Sequence, residues 1–208
     1  MKLVILDRDG TINADRDDYV KSTDEWVALP GALEAIARLN HAGWHTVVAT
    51  NQSGLGRGLF DVATLNAMHL KLSSELAAAG GRIDAFFFCP HAPAEHCACR
   101  KPQPGLFEQI GERFGVELSE VLAVGDSLRD LEAAATAGCQ THLVRTGKSD
   151  PVRLDEAAAL QMAERVPGTE VHQDLGAFAE FVIQRERRIR ATARGARETA
   201  PAGPGGLR

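Results

Sequence analysis

Leu3-Val4-Ile5-Leu6-Asp7-Arg8-Asp9-Gly10-Thr11 is the stretch on which the fold turns. Four apolar residues in a row, bounded by acidic residues and Gly, read as a strand buried on both faces. Asp7 and Asp9 then stand at its carboxyl end. In open α/β sheets ligands bind at that edge, so a carboxylate pair there is placed for chemistry. A strand simply meeting a turn would leave the same local trace, and the remainder of the chain has to separate the two.

Working outward, strands and helices alternate with short connections, which predicts an α/β fold: a parallel sheet covered by helices on both faces. Residues 13–24 read as a loop. Pro30-Gly31 opens a helix bearing Leu33, Ile36, Ala37 and Leu39, which Gly43 closes. His45–Ala49 is a second strand, and Asp61 caps a second helix with Leu65, Met68, Leu72 and Leu76 on one face. Further strands are expected at Ile83–Phe88, Val121–Val124 and Thr141–Val144, with a short one near Val171. The intervening helices start at Pro104 and Leu128, and two more are expected over Asp155–Arg165 and Asp174–Arg188. Each interval between polar strand ends holds one helix and one strand, leaving no room for an inserted cap. Only the 13–24 loop and a cysteine-rich loop at 89–101 can cover a site.

The 208 residues, 44% of them hydrophobic, suffice for one domain, expected over residues 1–184. Residues 185–208 are expected to hold a helix end and, from Ala191, a disordered basic tail, because no periodic apolar face continues there. The net charge of -5 is uneven: between Arg185 and Arg208 seven Arg face two Glu, so the preceding body is about -10. That balance argues against nucleic acid as a partner. No stretch reaches the roughly 18 apolar residues of a membrane span, and Met1 leads straight into the first strand, so a cytoplasmic protein is expected; the sequence is silent on oligomeric state, and a monomer is the default expectation.

The polar strand ends carry the chemistry. The first strand ends in Asp7 and Asp9, the second in Thr50 and Asn51, the fourth in Asp126 with Asp130 one helical turn on. Lys101 precedes Pro102. Singly, Thr50-Asn51 could cap a loop, Asp126 a helix, and Lys101 could be a solvated charge. Together they lie along one sheet edge with complementary roles. Clustered carboxylates repel unless a cation sits among them, and such hard oxygen donors suit Mg²⁺. A cation and Lys101 would attract a phosphoryl group, which an Asp can receive as nucleophile. A second carboxyl can protonate the leaving oxygen and then activate water, while hydroxyl and amide donors hold the phosphoryl oxygens.

This layout resembles the haloacid dehalogenase (HAD) superfamily of phosphatases. Asp7-x-Asp9-Gly10-Thr11, Thr50-Asn51, Lys101-Pro102 and Gly125-Asp126-x-x-x-Asp130 match its four motifs in order, over residues 7–130. The resemblance implies Asp7 as nucleophile and Asp9 as general acid/base. It implies a Mg²⁺ site of Asp7, the Asp9 carbonyl and Asp126, with Thr50 and Lys101 on the phosphoryl group. Asp130 would support the metal from outside.

Cys89-x-His91-x₅-Cys97-x-Cys99 supplies three thiolates and an imidazole, which can close a tetrahedral Zn²⁺ site with no open position, hence a structural one. His96 is a competing ligand. The clustering of three of the four cysteines favours metal over a disulfide. Taken with Asp7–Asn13, Thr50–Gly54, Arg100-Lys101-Pro102 and Val144–Lys148, this loop makes the chain similar to the D-glycero-D-manno-heptose-1,7-bisphosphate 7-phosphatases, which lack a cap. That family removes the 7-phosphate of its substrate during assembly of ADP-heptose for lipopolysaccharide. The resemblance implies a phosphorylated-sugar substrate touched by Asp15, Asp18, Tyr19, Thr50, Asn51, Gln52, Ser53, Arg100 and Lys101, and the zinc loop inclines toward the β anomer. Arg100 offers a bidentate fork for the phosphate that stays. Two departures stand out: the His91–Cys97 spacer is short, and Ser127 stands where a Lys is common. The alternative is a histidinol-phosphate phosphatase, which has the same motifs but whose substrate carries no second phosphate. A zinc-stabilised binding module would leave the acidic residues unexplained.

Overall fold

The structure, a computed structural model, describes residues 1–198. Its elements in chain order are β1 (Leu3–Leu6), α1 (Ala32–His41), β2 (His45–Asn51), α2 (Ser53–Gly56), α3 (Val62–Ala78) and β3 (Ala85–Cys89). There follow α4 (Gly105–Phe114), β4 (Leu122–Gly125), α5 (Leu128–Thr136), β5 (Gln140–Val144), α6 (Glu156–Glu164), β6 (Glu170–His172) and α7 (Leu175–Glu198). The six strands form one sheet in the order β3-β2-β1-β4-β5-β6, every pair parallel. The chain builds outward from β1 on one side and from β4 on the other. Strand order therefore reverses between β1 and β4, and the crevice a ligand needs opens there.

The apolar run of β1 is buried along its whole length because both its faces are covered. Val4 and Leu6 pack with α1, α3 and α7, against Ile36, Leu65 and Phe178. Leu3 and Ile5 pack the other way, on Leu106 and Ile110 of α4 and Ala133 of α5. A period of two thus splits one strand between two helical layers. Asp61 caps α3 as expected, its Oδ1 accepting the Thr64 N–H at 2.8 Å.

The 13–24 loop is pinned rather than free. Val20 and the neighbouring Trp26 are buried in the core, and Lys71 of α3 donates to the carbonyls of Thr23 and Trp26 at 2.8 and 2.9 Å. No inserted cap interrupts the described residues, in keeping with the interval reading. One expectation needs correcting: α7 continues to Glu198, past Ala191 where the tail was expected to begin. Arg, Ala and Glu are strong helix formers, so propensity carries the helix beyond its last core contact at Val182. The remaining tail, 199–208, lies outside the described residues. No described helix is long and apolar enough to cross a membrane.

Candidate active site

Burial of β1, β2 and β4 brings their polar ends to one edge. Asp7 receives the Lys101 ammonium at 2.7 Å, and the same nitrogen lies 2.6 Å from Asp130 Oδ1 and 2.8 Å from the Ala49 carbonyl. Lys101 is only 2% exposed, so this is a buried charge satisfied by three oxygens. Its position is set from β2: the Asn51 amide exchanges two 3.0 Å hydrogen bonds with the Lys101 main chain, Nδ2 to the carbonyl and the N–H to Oδ1.

Carboxylate oxygens of Asp7, Asp126 and Asp130 all lie within 4.8 Å of one another. Burial, with the charges of Asp130 and Asp9 beside it, pushes Asp7 up to about 7, although Lys101 pulls the other way. Burial and the neighbouring Asp130 and Asp7 also hold Asp126 well above the usual carboxylate range. Asp130 is held below it, because Lys101 and Arg129 outweigh its burial. Asp7 and Asp126 are thus expensive to ionise together. A divalent cation between two such hard oxygen donors removes that cost, and the donor set fits Mg²⁺. Asp130 is already committed: one oxygen holds Lys101, and the other accepts the N–H of Ser127 at 3.1 Å and its hydroxyl. Ser127 therefore starts α5 by fixing Asp130; a Lys at that position would keep the N–H bond and lose the hydroxyl's.

Asp9 is parked in a different network. Arg8, 1% exposed, donates to it from Nε and Nη2 at 3.1, 2.9 and 3.0 Å. Asn13 Nδ2 donates at 2.9 Å and Gln52 Nε2 at 2.8 Å. Burial opposes ionisation, but these donors, Arg8 foremost, hold Asp9 below the usual carboxylate range. Gln52 also donates to Thr50 Oγ1 at 2.9 Å, which leaves the Thr50 proton available.

The turn after β5 closes the site from the far side. Lys148 N–H donates to Asp126 Oδ2 at 2.5 Å, Ser149 Oγ to the Asp126 carbonyl, and Thr146 Oγ1 to the Gly10 carbonyl at 2.6 Å. Gly10 and Gly147 make this approach possible, with φ of +88° and +53°. A methyl group on either would come within 2.3 and 2.1 Å of Asp126 Oδ2.

The expected residues do not all converge. Asp7, Asp9, Thr50, Gln52, Lys101 and Asp126 do, and Asn51 joins them as a brace. Ser53 is buried at the start of α2. Asp15 faces the site's rim, paired with Lys148 at 2.7 Å. Tyr19 lies under the Arg57 guanidinium, 5.9 Å from ring centre to Cζ. Asp18 is exposed and spent on Lys21 and Arg16, whose hydrogen bonds draw it down to about 2; it touches no catalytic candidate. Arg8, Asn13 and Ser149 escaped the sequence reading. The Val144–Lys148 match was the one signal for the β5 turn.

At the other end, Cys89, His91, Cys97 and Cys99 offer four ligand atoms within 4.8 Å. Sulfur–sulfur separations are 3.5 and 3.6 Å, and sulfur–Nδ1 separations 3.5 and 3.3 Å. Zinc–sulfur bonds of about 2.3 Å give tetrahedral edges of about 3.8 Å, close to these. Burial pushes the Cys89 thiol up to about 12, so a metal is what would deprotonate it at neutral pH. His96 stays out of this set, its backbone in the left-handed region at φ +46°. It lines instead a cavity of about 610 Å³ with Arg100, Lys101 and Gln103.

Residues 98–177 match the HAD-hydrolase-like family. Over 184 residues the chain is 56% identical to the D-glycero-beta-D-manno-heptose-1,7-bisphosphate 7-phosphatase of Bordetella bronchiseptica, covering 88% of this chain and 99% of that one. The protein of the same name from Pseudomonas aeruginosa is 50% identical over 88% and 98% of the two chains. Among solved structures, the B. bronchiseptica D,D-heptose 1,7-bisphosphate phosphatase, complexed with magnesium and phosphate, superposes with a TM-score of 0.82 over 89% of this chain and 99% of its own, at 56% identity. The phosphatase of the same name from Burkholderia thailandensis gives a TM-score of 0.66 over 88% and 99%, at 52% identity.

Proposed function

The chain belongs to the family of D-glycero-beta-D-manno-heptose-1,7-bisphosphate 7-phosphatases, HAD-like hydrolases, and from that premise we propose how its own residues remove the 7-phosphate of the heptose 1,7-bisphosphate. The observation that carries the reading is the cluster of Asp7, Asp126 and Asp130 at the crevice between β1 and β4, with the buried Lys101 paired to Asp7 and Asp130. Asp7, the Asp9 carbonyl and Asp126 would hold Mg²⁺, which would neutralise the carboxylates and the phosphoryl oxygens.

Asp7 attacks phosphorus, and the bond to the sugar oxygen breaks as Asp9 gives that oxygen a proton. Asp9 then takes a proton from water, whose oxygen attacks the aspartyl-phosphate, releasing phosphate and restoring Asp7. Lys101 Nζ and the Thr50 hydroxyl hold the phosphoryl oxygens throughout. In the resting arrangement Asp9 is ionised against Arg8. A dianionic phosphate arriving beside it raises its proton affinity and competes for Gln52, so Asp9 is recruited as acid when substrate is present.

The zinc cluster fixes the loop that carries Arg100 and Lys101. The cavity beside it takes the sugar, with Arg100 on the 1-phosphate, and the relatives' names support the β anomer. Arg129, exposed on the first turn of α5, lies in the field of Asp130, Asp7 and Asp126 and adds positive charge near Ser127, where a Lys is common. The free cysteines accord with a reducing, cytoplasmic setting, and we take the working unit to be a monomer. The experiment is kcat/KM on the α and β anomers of the heptose bisphosphate and on histidinol phosphate. The β anomer should be turned over fastest; faster turnover of histidinol phosphate would overturn the assignment.

A further inference from the structure

At the mouth of the crevice the turn after β5 reaches the 13–24 loop through ion pairs. Lys148 Nζ lies 2.7 Å from Asp15 Oδ2 and 3.1 Å from Asp17 Oδ1, and Arg153 Nη1 lies 3.2 Å from the same Asp17 oxygen. Among the described residues, these are the ion pairs of Asp15 and Asp17. The pairs are unequal. The Asp17 side chain is 78% exposed, and a pair on it is worth little in water. That of Asp15 is 17% exposed, and its other oxygen accepts the Arg16 N–H at 2.9 Å, so this carboxylate is held from two sides.

The backbone of Lys148 is fixed as well. Its N–H donates to Asp126 Oδ2 at 2.5 Å, and the buried Ser149 that follows donates its hydroxyl to the Asp126 carbonyl. One residue thus runs from the carboxylate assigned to Mg²⁺ out to the rim. A sugar bisphosphate brings both hydroxyl donors and anionic phosphates to that rim. A carboxylate there accepts hydroxyls well but repels the phosphates, and an ammonium at 2.7 Å offsets the repulsion. Two of the roughly four acceptor positions of Asp15 are taken by Lys148 and the Arg16 N–H, which leaves the others for hydroxyls. We propose that Lys148 is a positioning residue for substrate binding: its ammonium fixes and neutralises Asp15, and the carboxylate then takes sugar hydroxyls at the mouth of the site. The proposal rests on the sugar-bisphosphate reading above and adds to it a residue that acts through Asp15.

The test is steady-state kinetics of the full chain on the β-heptose 1,7-bisphosphate, with Mg²⁺ varied. K148M keeps the N–H on Asp126 and removes the ammonium. It should raise KM about fivefold or more, hold kcat within about twofold, and leave the Mg²⁺ concentration for half-activation unchanged. K148R restores the cation and should return KM to within about twofold of the unsubstituted value. In a D15N background, where no charge needs offsetting, K148M should move KM less than about twofold. A KM unmoved by K148M, a loss of kcat or of Mg²⁺ activation beyond these bounds, or an equal KM effect with and without D15N would overturn the proposal. Its failure is separable from failure of the function assigned above, which is decided by the unsubstituted chain's turnover of heptose bisphosphate against histidinol phosphate.

Discussion

At the residue scale the account rests on Asp7, Lys101 and the two glycines beside Asp126. Asp7→Asn keeps the shape and hydrogen bonds of the side chain but cannot form an acyl-phosphate. Activity should fall by about 10⁴-fold with the fold retained, read by kcat/KM and circular dichroism. Lys101→Met leaves Asp7 and Asp130 without their shared cation, beside the buried Asp126. It should destabilise the protein by about 3 kcal/mol in the absence of metal, measured by urea unfolding. Gly147→Ala places a methyl 2.1 Å from Asp126 Oδ2 at a φ of +53°. It should cost about 2 kcal/mol and displace Asp126, visible as weaker Mg²⁺ activation. The carboxylates were legible in the sequence because strand ends declare themselves by local pattern. The parking of Asp9 on Arg8 was not, because an Arg beside two Asp reads as a solvated charge until β1 is seen to bury it.

At the scale of elements, the cysteine loop and β2 share the work of placing Lys101. Asn51 clamps the Lys101 main chain from one side, and the Cys89, His91, Cys97 and Cys99 cluster, which could hold zinc, ends two residues before it. Cys99→Ala should lower kcat/KM by about 10- to 100-fold while leaving Mg²⁺ binding in place, as expected for loss of an outer support. A zinc-free variant with unchanged kinetics would remove the loop from the mechanism. The strands and helices were legible from periodicity to within a residue or two at most ends. The resemblance implies Asn51 and Gln52 as substrate contacts, and nothing in the sequence shows the braces they also form. Their partners, Lys101 and Asp9, are long-range, and only the assembled sheet reveals them. The length of α7 was missed for the opposite reason: its last turns follow propensity, without an apolar face to trace.

At the scale of the molecule, the two helical layers are what keep the sheet edge aligned, and one buried pair beneath α7 makes that packing sensitive to acid. His142 Nδ1 and His172 Nε2 lie 3.1 Å apart, packed on Phe178 and Phe181. Burial, and for His142 the neighbouring His172, depress them to about 3 and about 4. The unfolded chain takes up these protons at the ordinary histidine value of about 6.5. Stability from the neutral pair is therefore full above that pH and declines as pH falls toward 4 and then 3, each group contributing a slope of up to about 1.4 kcal/mol per pH unit. Urea midpoints at pH 7 and pH 5 should differ less in His172→Gln than in the unsubstituted chain; an equal difference would show that the pair is not the acid-sensitive element. The central claim concerns neither layer but the crevice they hold open. It is tested most directly by rapid acid quench of the enzyme turning over the β-heptose 1,7-bisphosphate, followed by peptide mass spectrometry. The account predicts a phosphoryl group on the peptide containing Asp7 and none in Asp7→Asn; phosphorylation elsewhere, or full turnover by that variant, would contradict it.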